Sequence, residues 1–238
     1  MWDSAVTDAQ GPIVAPTDGV ETDRGAPSPA LDVRVVLVTI ADAKLWVAFQ
    51  DGATGACLPT GAPTPAEALD AAARRIVRGA TGLHERYLEQ LYTLSVADPP
   101  DWTVIVGYLG LVGAGQPQAQ PPGGRWHDAA DLPSLAAADR MVVDYALVRL
   151  RAKLGYTTIA FHLLPPTFTL SELQGAYETI LGRPLDKRNF RRRVIASGIL
   201  APTDDLRREG SHRPAMLYRF RATHDRETYL TPPWAEGG

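Results

Sequence analysis

From Thr169 to Gly198 the chain spells out two helix starts and two helix stops in quick succession, and this punctuation limits the fold more than any other stretch. Thr169-Leu-Ser-Glu172 is a capping box, with a hydroxyl at the cap and a carboxylate at the third helical position, and Gly182-Arg-Pro184 ends the helix that it opens. Asp186 then caps a second helix, Lys187-Arg-Asn-Phe-Arg-Arg-Arg-Val-Ile-Ala-Ser197, which Gly198 closes. Two short helices joined by so tight a turn pack as a helix-turn-helix. Ile199-Leu200 and Ala215-Met-Leu-Tyr-Arg-Phe220 are expected to pair as strands around Asp204–Pro214, which carries Arg207, Arg208, Gly210, His212 and Arg213. That hairpin would make the motif winged.

At about 100° per residue, Phe190 and Val194 share one edge of the second helix, with Arg188 and Arg192 opposite and Asn189 and Arg191 flanking. A helix anchored by its apolar edge can present Lys187, Arg188, Asn189, Arg191 and Arg192 to a major groove. There guanidinium forks fit guanine edges and amides fit adenine. Arg207, Arg208 and Arg213 on the wing would meet phosphates or the minor groove. A basic run alone more often marks a solvated helix face. Here the linked preceding helix, the basic hairpin and the scarcity of acids favour DNA. The charge is also unevenly placed: residues 157–221 carry 11 Lys and Arg against 6 Asp and Glu, whereas residues 1–156 carry 12 against 18. The net of −3 conceals a basic reader joined to an acidic body.

The body reads differently. Asp32–Ile40 and Leu45–Phe49 are β-branched, apolar runs joined by Ala41-Asp-Ala-Lys44, so two buried strands and a tight turn are expected. Leu58–Pro63 reads as a loop. Thr64 as cap, Pro65 in the first turn and Glu67 closing a Thr-x-x-Glu box predict a helix from Pro65, with Leu69, Ala72, Ala73, Ile76, Val77 and Ala80 on its inner face and Gly82 as its stop. Further strands are expected at Tyr87–Val96 and Trp102–Val112, then a Pro/Gly/Gln loop at Gly113–Gly124 and a long helix from about Ala136 to Leu154. On that helix Met141, Tyr145, Val148 and Ala152 form a stripe. Strands mixed with helices give an α+β fold with two domains: 31–156, then 157–225 beyond the Gly155–Thr167 connector. Residues 1–30 and 226–238 are expected to be tails. Five acids, one base and scattered Pro and Gly in residues 1–30 argue against a secretory signal, and no apolar run approaches the roughly 20 residues a bilayer requires. With Cys57 as its single cysteine the chain forms no internal disulfide, and a reducing cytoplasm is the expected setting, with no membrane partner.

Gly61-x5-Glu67-x7-Arg75, followed by Gly82-Leu83, resembles the Nudix signature. That signature places three further glutamates where this chain has Ile76, Gly79 and Ala80, positions that lie one helical turn apart. In the Nudix family those carboxylates hold Mg²⁺ against a diphosphate. Ile76, Gly79 and Ala80 ligate no metal, so the reading is a domain without catalytic or metal-binding residues and without a cofactor, not an enzyme. Glu67 and Arg75 are expected to pair and brace the loop. Cys57 reads as a small buried residue rather than a nucleophile. The competing reading is an active ADP-ribose pyrophosphatase with a nucleic-acid-binding appendage, in which Glu85, Glu89 or Asp70 substitutes as metal ligand. A third possibility is an RNA- or protein-binding module on an inert scaffold.

A degenerate Nudix box followed by a basic winged helix resembles the NrtR family, Nudix-related regulators of NAD metabolism. The resemblance runs through Tyr87–Leu91, Tyr156–Phe161, Leu163–Pro165 and Phe168–Gln174, and above all through Leu181-Gly-Arg-Pro-Leu-Asp-Lys-Arg-Asn-Phe-Arg-Arg192. It implies a Nudix-like α/β/α sandwich with a mixed sheet before the winged helix. It also implies a homodimer joined through the Nudix halves, an inverted-repeat double-stranded operator near NAD-synthesis or salvage genes, repression, and ADP-ribose or a related nucleotide as effector. Candidate effector contacts are Arg34, Gly61, Glu67, Arg75 and Arg78, with backbone groups of Leu58–Gly61.

Overall fold

The computed structural model describes residues 28–53, 55–98, 101–114, 124–207 and 214–221. The tails, most of the Pro/Gly/Gln loop, and Arg208, Gly210, His212 and Arg213 lie outside them.

The β-branched run beginning the body forms β1 (Ala30–Ala41), whose Val33, Val35, Val36, Leu37 and Val38 are fully buried. Consecutive burial, instead of alternation, means that both sheet faces are covered. β1 turns through Asp42 and Ala43, both left-handed with φ of 50° and 55°, into β2 (Lys44–Gly52). This is the hairpin expected from the sequence. β3 (Gly55–Cys57), β4 (Thr60–Gly61), β5 (Tyr87–Asp98), β6 (Asp101–Leu111) and β7 (Gly124–Asp128) complete the sheet. Its order is β3-β2-β1-β6-β5, with β4 on β1 and β7 on β2. β1 and β6 run parallel and the other pairs antiparallel, so the sheet is mixed. β3, β4 and β7 are additions to the sequence reading: each is too short to show a period.

α1 (Leu69–Thr81) covers one face, packing Ala72, Ala73, Ile76 and Val77 on Val33, Val35, Leu37, Val106 and Tyr108. Gly82, at φ 67°, ends it by donating its N–H to Arg78 O. α1 does not start at Pro65. Ala66 has φ 62°, Ala68 is the cap, and Thr64–Glu67 is a separate turn closed by Glu67 N–H donating to Thr64 O at 3.0 Å. The Glu67 carboxylate accepts from Thr64 N–H as in a capping box, but Arg75 draws it toward α1 and the reciprocal bond is absent.

α2 (Ala137–Leu154) covers the other face, burying Val142, Val143, Ala146, Leu147, Leu150 and Leu154 against Val36, Val38, Phe49, Ile105 and Leu109. The expected α/β/α sandwich results. The stripe Met141–Tyr145–Val148–Ala152 is on the outer side of α2 and faces solvent.

The connector folds into a buried 3-10 turn, Ile159–Leu163. It leads to α3 (Leu170–Leu181), α4 (Lys187–Ala196) and the hairpin of β8 (Leu200–Arg207) and β9 (Ala215–Phe220). β8 runs to Arg207, further than the pairing expected at Ile199-Leu200. Phe161, Phe168, Leu173, Tyr177, Ile180, Phe190 and Val194 join the core that α2 shares with the sheet, so one apolar interior crosses from sandwich to winged helix. Among the described residues no helix is long and apolar enough to cross a membrane.

Candidate nucleic-acid interface and effector region

α3 begins as its sequence dictates. Thr169 Oγ1 accepts from Glu172 N–H at 3.1 Å, while Glu172 Oε2 accepts from Thr169 N–H at 2.7 Å. Gly182, at φ 67°, closes it, and Asp186 caps α4 by accepting from Asn189 N–H at 2.7 Å. The turn between them is held by two side chains of α3: Glu178 Oε1 accepts from Leu185 N–H at 2.8 Å, and Gln174 Nε2 donates to Leu185 O at 3.1 Å. Neither was foreseen. Their signal is a polar pair one turn apart on α3, with Gln174 only 9% exposed. Phe190 and Val194 are buried, Phe190 edge-on to Tyr177 with centroids 5.5 Å apart.

Anchoring this edge turns Lys187, Arg188, Asn189 and Arg192 to solvent, and Arg192 Nη2 donates to Asn189 Oδ1 at 3.0 Å. Arg191 departs from the expected outer group. It is half-buried, donates from Nη2 to Ser171 Oγ at 2.9 Å, and lines a cavity of about 190 Å³ with Leu170, Ala215, Met216 and Tyr218. Its Nε is buried and makes no hydrogen bond among the described residues. Arg207 departs too: its Nη1 pairs with Glu172 Oε1, which ties the base of the hairpin to α3. The same Glu172 that closes the capping box thus also takes the Arg207 guanidinium, whose side chain stays 31% exposed. Arg208 and Arg213 lie outside the described residues.

In the sandwich the Nudix-like residues form a brace. Arg75 grips Glu67 with both arms, Nε to Oε1 at 2.9 Å and Nη2 to Oε2 at 2.7 Å, and also reaches Ala62 O at 3.0 Å. The guanidinium, with help from Thr64 N–H, holds the Glu67 carboxyl at about 2, well below its ordinary 4.5. This is the loop-to-helix pair expected from the sequence. Gly61 lies in β4, and a Cβ there would stand 3.4 Å from Ile76 Cγ1. Ile76 is buried against the sheet, Ala80 is buried, and Gly79 is exposed. Arg78 is exposed beside Arg74 O.

Arg34 is committed elsewhere. Its Nε donates to Asp32 Oδ2 at 2.9 Å and its Nη1 to Asp139 Oδ1 at 2.6 Å, while Asp139 Oδ2 accepts from Leu58 N–H at 3.1 Å. Burial pushes the guanidinium down, but the two carboxylates outweigh that and raise it. Arg34 is thus the centre of an internal network, not a free cation. Asp139 was missed, although it falls in register with the inward-facing Val143, Ala146 and Leu150 of α2.

The three acids considered as substitute metal ligands have other partners. Glu85 pairs with Arg74, and Asp70 accepts from Tyr108 Oη at 2.8 Å. Glu89 is on the α2 side of the sheet, bonded to Arg149 at 2.8 Å, Lys153 at 2.9 Å and Tyr87 at 2.8 Å. Burial raises the Glu89 carboxyl, but these donors outweigh it and hold it low. Among the described residues no three His, Cys, Asp or Glu side chains come together as a metal site.

Past the α1 stop, Arg86 leaves the sandwich. Its Nη1 donates to Leu164 O at 2.6 Å, beside Ala114 N–H donating to Leu163 O at 2.8 Å. A cavity of about 350 Å³ opens next to this contact, between the β1–β2 turn (Asp42, Ala43), Leu163–Pro165, and Glu172, Gly175 and Thr179 of α3.

Comparison with known proteins gives a consistent result. Residues 160–220 match the NrtR DNA-binding winged helix domain. The ADPR responsive transcriptional repressor NtrR of Acinetobacter baylyi is 39% identical over 159 residues, 64% of this chain. The matched segment spans 63% of that relative's length. The crystal structure of Shewanella oneidensis NrtR complexed with a 27mer DNA superposes with a TM-score of 0.74 at 30% identity, covering 84% of this chain and 99% of that one. A MutT/nudix family protein from Enterococcus faecalis shares the fold, with a TM-score of 0.64 at 20% identity over 82% of this chain and 87% of its own.

Proposed function

The chain belongs to the NrtR family, and from that premise we propose that it is a cytoplasmic, DNA-binding transcriptional repressor whose Nudix-like sandwich senses ADP-ribose. The observation that carries the reading is α4. Its apolar edge is locked under Tyr177, its turn is fixed by Glu178 and Gln174, and Lys187, Arg188, Asn189 and Arg192 face outward together. This helix enters a major groove, with Arg188, Asn189 and Arg192 reading base edges and Lys187 on phosphate. Arg191, with a desolvated and unspent Nε beside the hairpin, serves the backbone near the wing. Arg207 supports the hairpin from behind, while Arg208 and Arg213 remain proposed wing contacts. We assign residues 31–156 to effector sensing and 157–225 to DNA. The operator is an inverted repeat beside genes of NAD synthesis or salvage, gripped by a homodimer.

ADP-ribose enters by the Glu67–Arg75 brace, with Gly61, Arg78 and the Leu58–Gly61 backbone as contacts. Arg34 shapes this wall by holding Asp32 and Asp139, without itself meeting the diphosphate. With Ile76, Gly79 and Ala80 in place of carboxylates, the sandwich has lost the means to seat Mg²⁺, so the ligand is bound and not cleaved. Support for repression and for ADP-ribose comes from the Acinetobacter relative's description, and for DNA from the Shewanella complex. The test pairs a promoter-fragment titration, with and without ADP-ribose, with a hydrolysis assay on the same sample. Arg188→Ala with Arg192→Ala is expected to abolish sequence-specific binding at unchanged thermal stability. Operator affinity equal to wild type in that double variant defeats the DNA reading, and Mg²⁺-dependent release of AMP defeats the non-enzymatic one.

A further inference from the structure

The cavity between the β1–β2 turn and α3 belongs neither to the Glu67–Arg75 brace nor to the outer face of α4. At about 350 Å³ it falls within the range of small-molecule pockets, about 300–1,000 Å³, and it opens where the two halves meet, a usual place for such pockets. Its walls are mainly apolar, with Ile40 on the sandwich side and Leu163, Leu164 and Pro165 on the other. Gly175 keeps the space open. Glycine weakens a helix interior, and Gly175 lies midway along α3. Its backbone is not left-handed, unlike that of Gly182, and a Cβ there would have no neighbour beyond its own helix within 4 Å. Neither conformation nor crowding therefore requires glycine at 175, and a longer side chain would enter the cavity that this residue lines.

The charges on the wall are one-sided. Asp42 and Glu172 line the cavity, and no Lys, Arg or His does. Glu172 is answered by Arg207 and by Thr169 N–H. The cations nearest in the chain or the fold are spent elsewhere: Lys44 on Asp128 at 2.8 Å, and Arg86 on Leu164 O. The Asp42 carboxylate, exposed on the turn, has no ion pair or hydrogen bond among the described residues. We propose that this cavity is a second ligand site, separate from the effector region, for a small apolar amine: a body the size of an indole against the apolar walls, and an ammonium that meets Asp42. Anions such as nucleotides and phosphates are turned away, because no base on the wall receives them. The occupant touches the β1–β2 turn on the sandwich and α3 on the winged helix, so it favours one placement of the reader against the sandwich. That coupling rests on the DNA reading, whereas the site does not.

Tryptamine serves as the probe, with indole-3-acetate as its anionic counterpart, in calorimetric titrations of the full chain. Tryptamine is expected to bind wild type, and indole-3-acetate to bind at least about tenfold more weakly. Asp42→Asn, which keeps a residue tolerant of the left-handed turn, should weaken tryptamine about tenfold, the scale of one charge-assisted hydrogen bond. Gly175→Leu is expected to abolish tryptamine binding while melting no lower than wild type, and Gly175→Ala, which takes up little of the space, to retain it. In anisotropy titrations, saturating tryptamine changes wild-type operator affinity about fivefold and leaves that of Gly175→Leu unaltered. A wild type that takes up no tryptamine, or a Gly175→Leu variant that binds it as wild type does, overturns the site. Indole-3-acetate or Asp42→Asn matching the wild-type affinity for the amine overturns the cationic ligand. Tryptamine that binds without altering operator affinity overturns the bridging role. A wild type that binds tryptamine and ignores operator DNA defeats the DNA reading and leaves the site standing.

Discussion

Glu67 shows how a residue kept from a catalytic signature becomes a strut. It accepts from both arms of Arg75 and from Thr64 N–H, and its carboxyl is held at about 2. A carboxyl lowered on folding adds stability that is complete above its ordinary 4.5 and is lost as pH falls toward 2. Glu67→Gln is therefore expected to lower the melting temperature at neutral pH by an amount that shrinks steadily below the ordinary value. Thermal scans of both proteins at stepped pH check this. A gap that stays constant across that window assigns Glu67's effect to shape and not to charge. Arg75, 43% exposed along its side chain, keeps the effect small, since solvent screens its half of the pair.

At the scale of elements, the β1–β2 hairpin is held at a cost. Both of its turn residues are left-handed, which asparagine, aspartate or glycine tolerates and alanine resists by about 1–2 kcal/mol. Ala43→Gly, at φ 55°, should stabilise the protein by up to about 1 kcal/mol once the extra freedom glycine gives the unfolded chain is subtracted. Urea titration measures it, and unaltered or lower stability contradicts the strain. The hairpin was legible from the sequence because β-branched runs flank a four-residue turn, and α3 and α4 were legible because Thr169, Gly182 and Asp186 mark ends by local chemistry. Elements set by distant partners were not. Pro65 and Glu67 imitate a helix start, but Arg75 claims the carboxylate from a residue eight positions on. Arg207 belongs to a basic stretch, yet its position depends on Glu172, 35 residues earlier in the chain. On α2 the stripe Met141–Tyr145–Val148–Ala152 stands out in the sequence, yet the sheet buries Val142, Val143, Ala146, Leu147 and Leu150 instead, because both faces carry apolar residues at helical spacing and periodicity does not say which one the sheet takes.

For the whole molecule the question is how an event at α1 reaches α4. The two halves are not strung on a loose linker: one core runs from Phe49 and Leu147 through Phe161 and Phe168 to Phe190. The polar route is shorter. Arg74 on α1 fixes Glu85, and the adjacent Arg86 holds the Leu164 carbonyl, six residues before α3 begins at Leu170. A ligand shifts an equilibrium only by its differential affinity for two arrangements, so whatever ADP-ribose does at α1 has to alter contacts of this kind. A charge-assisted hydrogen bond contributes about 1.5–3 kcal/mol. That is far below the roughly 5.5 kcal/mol of a full switch from 1:99 to 99:1, but it is enough to change coupling about tenfold. Arg86→Met keeps most of the side-chain bulk and removes the donor. It is expected to leave effector-free operator affinity within a few-fold of wild type and to shrink the change produced by saturating ADP-ribose by about tenfold. Anisotropy titrations on operator DNA with and without ADP-ribose, run for both proteins, measure the two quantities separately. An effector response in Arg86→Met equal to that of wild type would place the coupling in the shared apolar core, through Phe161 and Phe168, and not in the arginine.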